Sequence, residues 1–120
     1  MNHDADPRYR VLLERHLALN RATWRTLEEH GIAPTGTVRL EFAYRAPNAT
    51  AADRLVDLLL DRTDYDASVQ REGEAPARYS VVGTTQLTRF SPEVLDRWVE
   101  WMVSAGLDYG CEFDGWGTEE

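Results

Sequence analysis

Along this sequence the hydrophobic pattern switches between a period of two and a period of about 3.6 in a fixed order, and that order narrows the folds open to the chain more than any single residue does. From Thr37 to Arg45 residues alternate, with Val38, Leu40, Phe42 and Tyr44 pointing one way and Arg39, Glu41 and Arg45 the other, which predicts a half-buried strand. Pro47-Asn48 marks a turn. Thr50 with Asp53 three residues later approximates a capping box for a helix that carries Leu55, Val56, Leu58, Leu59 and Leu60 to about Arg62. Tyr65 to Arg71 alternates again, Glu72 to Pro76 holds the Gly and Pro of a hairpin loop, and a third strand runs from about Arg78 to Leu87. Ser91 suits an N-cap, Pro92 the first helical position and Glu93 the positive end of the helix dipole. That helix carries Val94, Leu95, Trp98, Trp101, Met102 and Ala105 inward and stops at Gly106. A last strand is expected from Leu107 to Phe113, with Leu107, Tyr109, Cys111 and Phe113 on one face and Asp108, Gly110 and Glu112 on the other.

The β-α-β-β-α-β order predicts a ferredoxin-like α+β sandwich, with four antiparallel strands and both helices on one face of the sheet. Phe42, Leu59, Val81, Trp98 and Met102 are expected to share its core. An extra N-terminal helix precedes this body, from about Arg8 to His30. Tyr9, Leu13, Leu17, Trp24 and Leu27 form its apolar stripe, Gly31 ends it in a left-handed conformation, and Pro34 lies just beyond. Such a helix would cover an edge or the open face of the sheet. Residues 1–7 read as a disordered leader and residues 8–120 as a single domain, which suits a chain of 120 residues that is 42% hydrophobic.

Charge excludes some partners. The chain has 13 basic residues, all arginine, against 21 acidic ones, for a net charge of -8. Such a balance lacks the basic footprint of a nucleic-acid binder, so no direct nucleic acid is expected. The charge is uneven. Residues 1–36 balance and residues 37–120 carry the whole -8. A local basic face on the first segment in front of an acidic body is therefore open. The longest apolar cluster, Leu55 to Leu60, is far short of a membrane span, and the polar start shows no secretory signal. Cys111 is the only cysteine, so an internal disulfide is excluded and a reducing cytoplasm is the expected compartment.

Nothing in the spacing of reactive residues points to catalysis, a cofactor or a metal. His16 and His30 are nearly four helical turns apart and read as helix-surface histidines rather than ligands. Cys111 reads as a small buried hydrophobe on a strand rather than a nucleophile. Asp108, Glu112 and Asp114 alternate along the last strand, either as a solvated row, a protein-binding patch or an acid–base pair without a pocket. Trp24, Trp98 and Trp101 lie on helix stripes and are expected in the core. Trp116 lies between Gly115 and Gly117. It either tucks onto the sheet or stands exposed as an anchor in a recognition loop, and the flexible glycines suit both.

The closing segment Phe113-Asp114-Gly115-Trp116-Gly117-Thr118, after a strand and a helix bearing Trp and Met, resembles the RraB family of protein inhibitors of ribonuclease E. That family shares the element order over nearly the whole chain, and its inhibitors carry an acidic tail beyond the motif, where this sequence has Glu119-Glu120. The resemblance implies a non-enzymatic protein that binds an RNase E/G-type endoribonuclease and alters which transcripts it cleaves. It points to Asp108, Glu112, Asp114, Gly115, Trp116 and Gly117 as partner-binding residues. A second expectation keeps the fold but changes the partner, as in an immunity or toxin-neutralising protein.

Overall fold

A computed structural model of the chain describes residues 6–31, 37–74 and 76–118. Helix α1 spans Pro7–Glu29, with Asp6 as its N-cap accepting a hydrogen bond from the Arg8 backbone N–H at 2.8 Å. Asp6 and Pro7, expected in the leader, instead start the helix; residues 1–5 lie outside the described residues. Gly31 takes φ 69°, the left-handed stop that its position suggests, while Pro34 is outside the described residues. Strand β1 is Thr37–Val38, β2 is Leu40–Ala46, and α2 is Ala49–Arg62. Asn48, read from sequence only as a turn residue, caps α2 by accepting from the Ala51 N–H at 2.8 Å, so the cap lies two residues before Thr50. Strand β3 is Asp66–Glu72, β4 is Arg78–Thr84 and β5 is Thr88–Arg89. Helix α3, Pro92–Leu107, is capped by Ser91 as expected, and β6 is Glu112–Thr118.

The main sheet has the order β3-β4-β2-β6, and each neighbouring pair is antiparallel. This is an α+β sandwich, and the strand order is compatible with the ferredoxin-like arrangement. The strand expected over Thr37 to Arg45 is broken at Arg39. Its first two residues leave the sheet and pair with β5 in a separate two-stranded ribbon. At the break, Leu40 and Thr85 exchange two hydrogen bonds. The Leu40 N–H donates to the Thr85 hydroxyl at 3.0 Å, and the Thr85 N–H donates to the Leu40 carbonyl at 2.9 Å. A side chain thus replaces one rung of the ladder where β4 ends.

The helices lie in one layer. Helix α2 packs on β3 and β4, α3 packs on β6, and α1 packs along α3 and reaches β6. Phe42, Leu59, Val81, Trp98 and Met102 are all buried in one cluster between the layers, as the sequence pattern predicts. Phe42 and Trp98 are 6.4 Å apart between ring centroids, and Trp98 and Phe113 are 6.0 Å apart, both edge-to-face. Two glycines are fixed by this packing. A Cβ at Gly83 would run into the Asp66 carbonyl and the Phe42 ring, and one at Gly106 would meet the Tyr44 ring at 2.5 Å. Gly106 therefore sits inside α3 rather than ending it. The stripe expected to seat α1 is shifted by one residue: Leu12, His16 and Asn20 are buried, whereas Leu13, Leu17 and Leu27 are half-buried. Trp101 is 40% exposed and is not a core residue. No helix among the described residues is long and apolar enough to cross a membrane.

Candidate protein-binding face of the sheet

The segment after α3 decides which side chains lie on the open face of the sheet. Leu107 ends α3 and Asp108 is its C-cap, so the strand starts at Glu112, five residues later than the alternation suggests. The expected row is thereby divided. Asp108 belongs to the helix end, while Glu112 and Asp114 lie on β6. Both β6 carboxylates are held by one guanidinium. Arg45 Nη2 is 3.2 Å from Glu112 Oε2, and Arg45 Nε is 3.8 Å from Asp114 Oδ1.

Pairing between β2 and β6 slips by one residue here. Tyr44 faces Phe113 and Ala43 faces Gly115, which leaves Asp114 as the extra residue of a β-bulge. Gly115 takes φ 144°, a conformation that side-chain-bearing residues resist. In a regular strand, residues three apart point to opposite faces. The bulge cancels that, so Phe113 and Trp116 both turn to the helix side. Phe113 is fully buried, and Trp116 pairs with the core residue Phe42. The Trp116 indole N–H donates to Asn20 Oδ1 at 2.7 Å, and Asn20 Nδ2 donates to Asp96 Oδ1 at 3.1 Å. Of the two readings open for Trp116, the indole takes the tucked one and ties β6 to α1, while the half-buried residue still lines the depression that holds Glu41, Asp66 and Asp114.

With the Trp116 indole turned toward α1, the centre of the open face is made of small residues. Ala43 is paired with Val82 on one side and Gly115 on the other, Glu41 is paired with Gly117, and Val82 is paired with Ser68. These positions line a shallow depression of about 760 Å3 on the side away from the helices. A Cβ at Gly115 or Gly117 would meet nothing within 4 Å, so its floor is open. Three carboxylates, Glu41, Asp66 and Asp114, line it, and no arginine does among the described residues. Glu41 and Asp66 are exposed, and Asp66 accepts a long hydrogen bond from Thr84 Oγ1 at 3.4 Å. Sequence reasoning did not select either of them. The alternation of β2 already put Glu41 on the exposed face, but only the strand order brings it beside Asp66 and Gly117.

The candidate reactive groups lie elsewhere. Cys111 is fully buried, and burial pushes its thiol up to about 11, so it stays protonated and unreactive at neutral pH. His16 is not a helix-surface histidine; it is buried 4% exposed. Its Nε2 lies 2.8 Å from the Phe113 carbonyl oxygen, which can only accept, so Nε2 carries the proton. Burial lowers its pKa, partly offset by that hydrogen bond. Tyr44 is fully buried and donates its hydroxyl to the Met102 carbonyl at 2.7 Å; burial raises its pKa well above the usual value. Among the described residues, no three His, Cys, Asp or Glu side chains cluster as a metal site would require.

Fold and site together define a small α+β sandwich with one helix-covered sheet face and one open, carboxylate-lined face. Residues 14–114 match the model of a family of unknown function, DUF7112, and the chain belongs to that family. No curated protein matches the chain.

Proposed function

We propose that this chain is a non-enzymatic regulator that binds a basic segment of a partner protein on the open face of its sheet, and that the partner is an RNase E/G-type endoribonuclease whose RNA turnover it modulates. The depression over Ala43 and Val82 carries the binding part of this reading. A sheet face that only meets water is usually covered with long polar side chains. Here the centre is Ala, Val and Gly, which lets a partner's backbone approach closely, while Glu41, Asp66 and Asp114 stand around it. Carboxylates in that position speed and orient the approach of a basic surface and repel phosphate. The ribonuclease rests on the resemblance of Phe113 to Thr118 to the RraB family. The compartment is a reducing cytoplasm, in keeping with a single buried thiol.

The test titrates the purified protein against the E/G-type ribonuclease of the same cell at low and physiological salt, and follows cleavage of a model RNA. Binding should appear at low salt, slow or redirect cleavage, and weaken as exposed charges are screened over ~8–10 Å. Charge reversal of Glu41 and Asp66 should weaken it by ~10-fold or more without lowering the melting temperature. No binding at low salt removes the ribonuclease from the proposal. Binding that ignores both salt and these reversals removes the sheet face.

A further inference from the structure

Helix α1 turns two different sides inward and outward. Leu12, His16 and Asn20 are buried, with His16 bonded to Phe113 and Asn20 to Asp96. Arg8, Val11, Arg15, Ala18, Ala22 and Arg25 are all exposed. They follow one another at alternating spacings of three and four, which sets them in one row along the helix. Val11 is 62% exposed, and Leu19, beside the row, is 52% exposed. Singly exposed apolar residues are ordinary on a protein surface. Here two of them share one helix side with two alanines, and nothing among the described residues covers it.

The charges on this helix run against its own dipole. A helix favours acids near its N-terminus and bases near its C-terminus. Between its caps, α1 has no acid in its first turn and no base in its last. Arg8 and Arg10 stand at the start, and Glu28 and Glu29 at the end. Glu14 lies on the same side as Arg21 and Arg25, about two and three turns away. Arg8, Glu14, Arg21, Arg25 and Glu29 form no ion pair among the described residues. Residues 1–36 nevertheless balance, whereas residues 37–120 carry the whole -8. Two copies of the chain therefore repel each other least where their first helices meet.

An antiparallel copy of the same helix complements that side. We propose that α1 is a self-association surface, on which a second copy of this chain packs its own α1 antiparallel about a two-fold axis between Ala18 and Leu19. In that register Arg8 lies level with Glu29 of the second copy, and Glu14 lies level with the interval between its Arg21 and Arg25. Arg15 lies level with Ala22 and Ala18 with Leu19, and the symmetry makes each contact twice. The positive start of each helix meets the negative end of the other, and the exposed alanines allow a close approach of ~8–10 Å between axes. A helix of 23 residues is ~34 Å long. One helix pair is a small interface beside the ~1,600 Å2 of a standard one, so the dimer is weak and reversible. This contact does not use the open sheet face.

The test follows the full chain by sedimentation equilibrium from micromolar to millimolar concentration. A reversible monomer–dimer equilibrium with its midpoint below ~1 mM is expected. Ala18→Arg sets a bulky cation at the centre of the contact and should weaken the dimer by ~10-fold or more. It should not lower the melting temperature, since the position is exposed and arginine is a good helix former. Glu14→Arg in one chain, and Arg21→Glu with Arg25→Glu in another, should each weaken self-association by ~10-fold or more, because like charges then meet twice. Mixed in equal amounts, these two variants should form a heterodimer as tight as the parent dimer. The double variant Glu41→Gln, Asp66→Asn alters the open sheet face and should dimerise at least as well as the parent, so this result stands or falls apart from the ribonuclease reading. The proposal is overturned if the parent stays monomeric at millimolar concentration, if Ala18→Arg leaves the dimer intact, or if the mixture associates no better than its parts. A monomeric parent that instead binds a helical peptide of glutamate and alanine overturns it in favour of an acidic partner.

Discussion

On β2, Leu40, Phe42 and Tyr44 turn toward the helices and are buried, while Glu41, Ala43 and Arg45 turn away. The same seven residues thus build two surfaces of different kinds. The covered face is aromatic: Phe42, Tyr44, Trp98 and Phe113 meet edge to face, and the one hydroxyl among them is spent on the Met102 carbonyl. The open face is small and charged. Stability is therefore concentrated on one side of the sheet, which leaves the other free to vary in charge with little consequence for folding. Mutations on the two faces should separate these roles.

The largest effect is expected from Trp98, whose ring contacts Phe42, Phe90 and Phe113. Trp98→Ala should cost ~3–5 kcal/mol in denaturant melts. Val82→Ala, at the centre of the open face, should cost less than ~1 kcal/mol, because its side chain has no covering layer. Equal losses at the two positions would mean that the open face is covered.

Next in size is the tie between β6 and the helices, at Asn20. It is 3% exposed and accepts from Trp116 while donating to Asp96. Asn20→Ala strands the indole N–H and should cost ~1–3 kcal/mol. It should also raise the exposure of Trp116, visible as a red shift in fluorescence. A stable variant with unchanged emission would show that the bulge alone holds Trp116 inward.

Strand alternation, helix caps at Ser91 and the glycine stop at Gly31 made the element order legible in the sequence, and the core residues with it. The site was legible only in part. Asp114, Gly115, Trp116 and Gly117 all line the depression of the open face and Glu112 lies beside them on β6, but the Trp116 indole turns toward α1, because a one-residue bulge reverses the sense of the alternation and a period count cannot detect the slip. Asp108 was misplaced for a related reason. Leu107 and Tyr109 keep an alternating appearance while the chain is still ending a helix and turning through Gly110 at φ 75°. Glu41 and Asp66 needed the order β3-β4-β2-β6, which is a long-range property.

A smaller effect comes from His16, which holds α1 to β6 as a neutral donor. Burial lowers its pKa below the usual ~6.5, so below that pH the unfolded chain binds the proton more readily than the folded one. Its contribution is intact above about pH 6.5 and is lost as pH falls toward the folded-state value. Thermal melts should be level from pH 8 to 7 and decline as pH falls below about 6.5. His16→Gln should flatten that interval. A decline that survives in this variant would assign the effect to carboxylates instead.

The smallest effect on stability, and the sharpest division between the faces, concerns salt. A net charge of -8 repels itself in the folded state, so added salt should raise the melting temperature slightly. Neutralising Glu41 and Asp66 together should do the same at low salt, since both are exposed and line a depression that no arginine lines among the described residues. Binding of the proposed basic partner should run the other way, because screening would remove its attraction to this face. The paired measurement is a melt and a partner titration over the same salt series, on the parent chain and on Glu41→Gln, Asp66→Asn. Opposite slopes for stability and affinity in the parent, with the affinity slope reduced in the variant, are expected. Parallel slopes would mean that the carboxylates serve the folded chain rather than a partner, and the open face would then be a solvated surface.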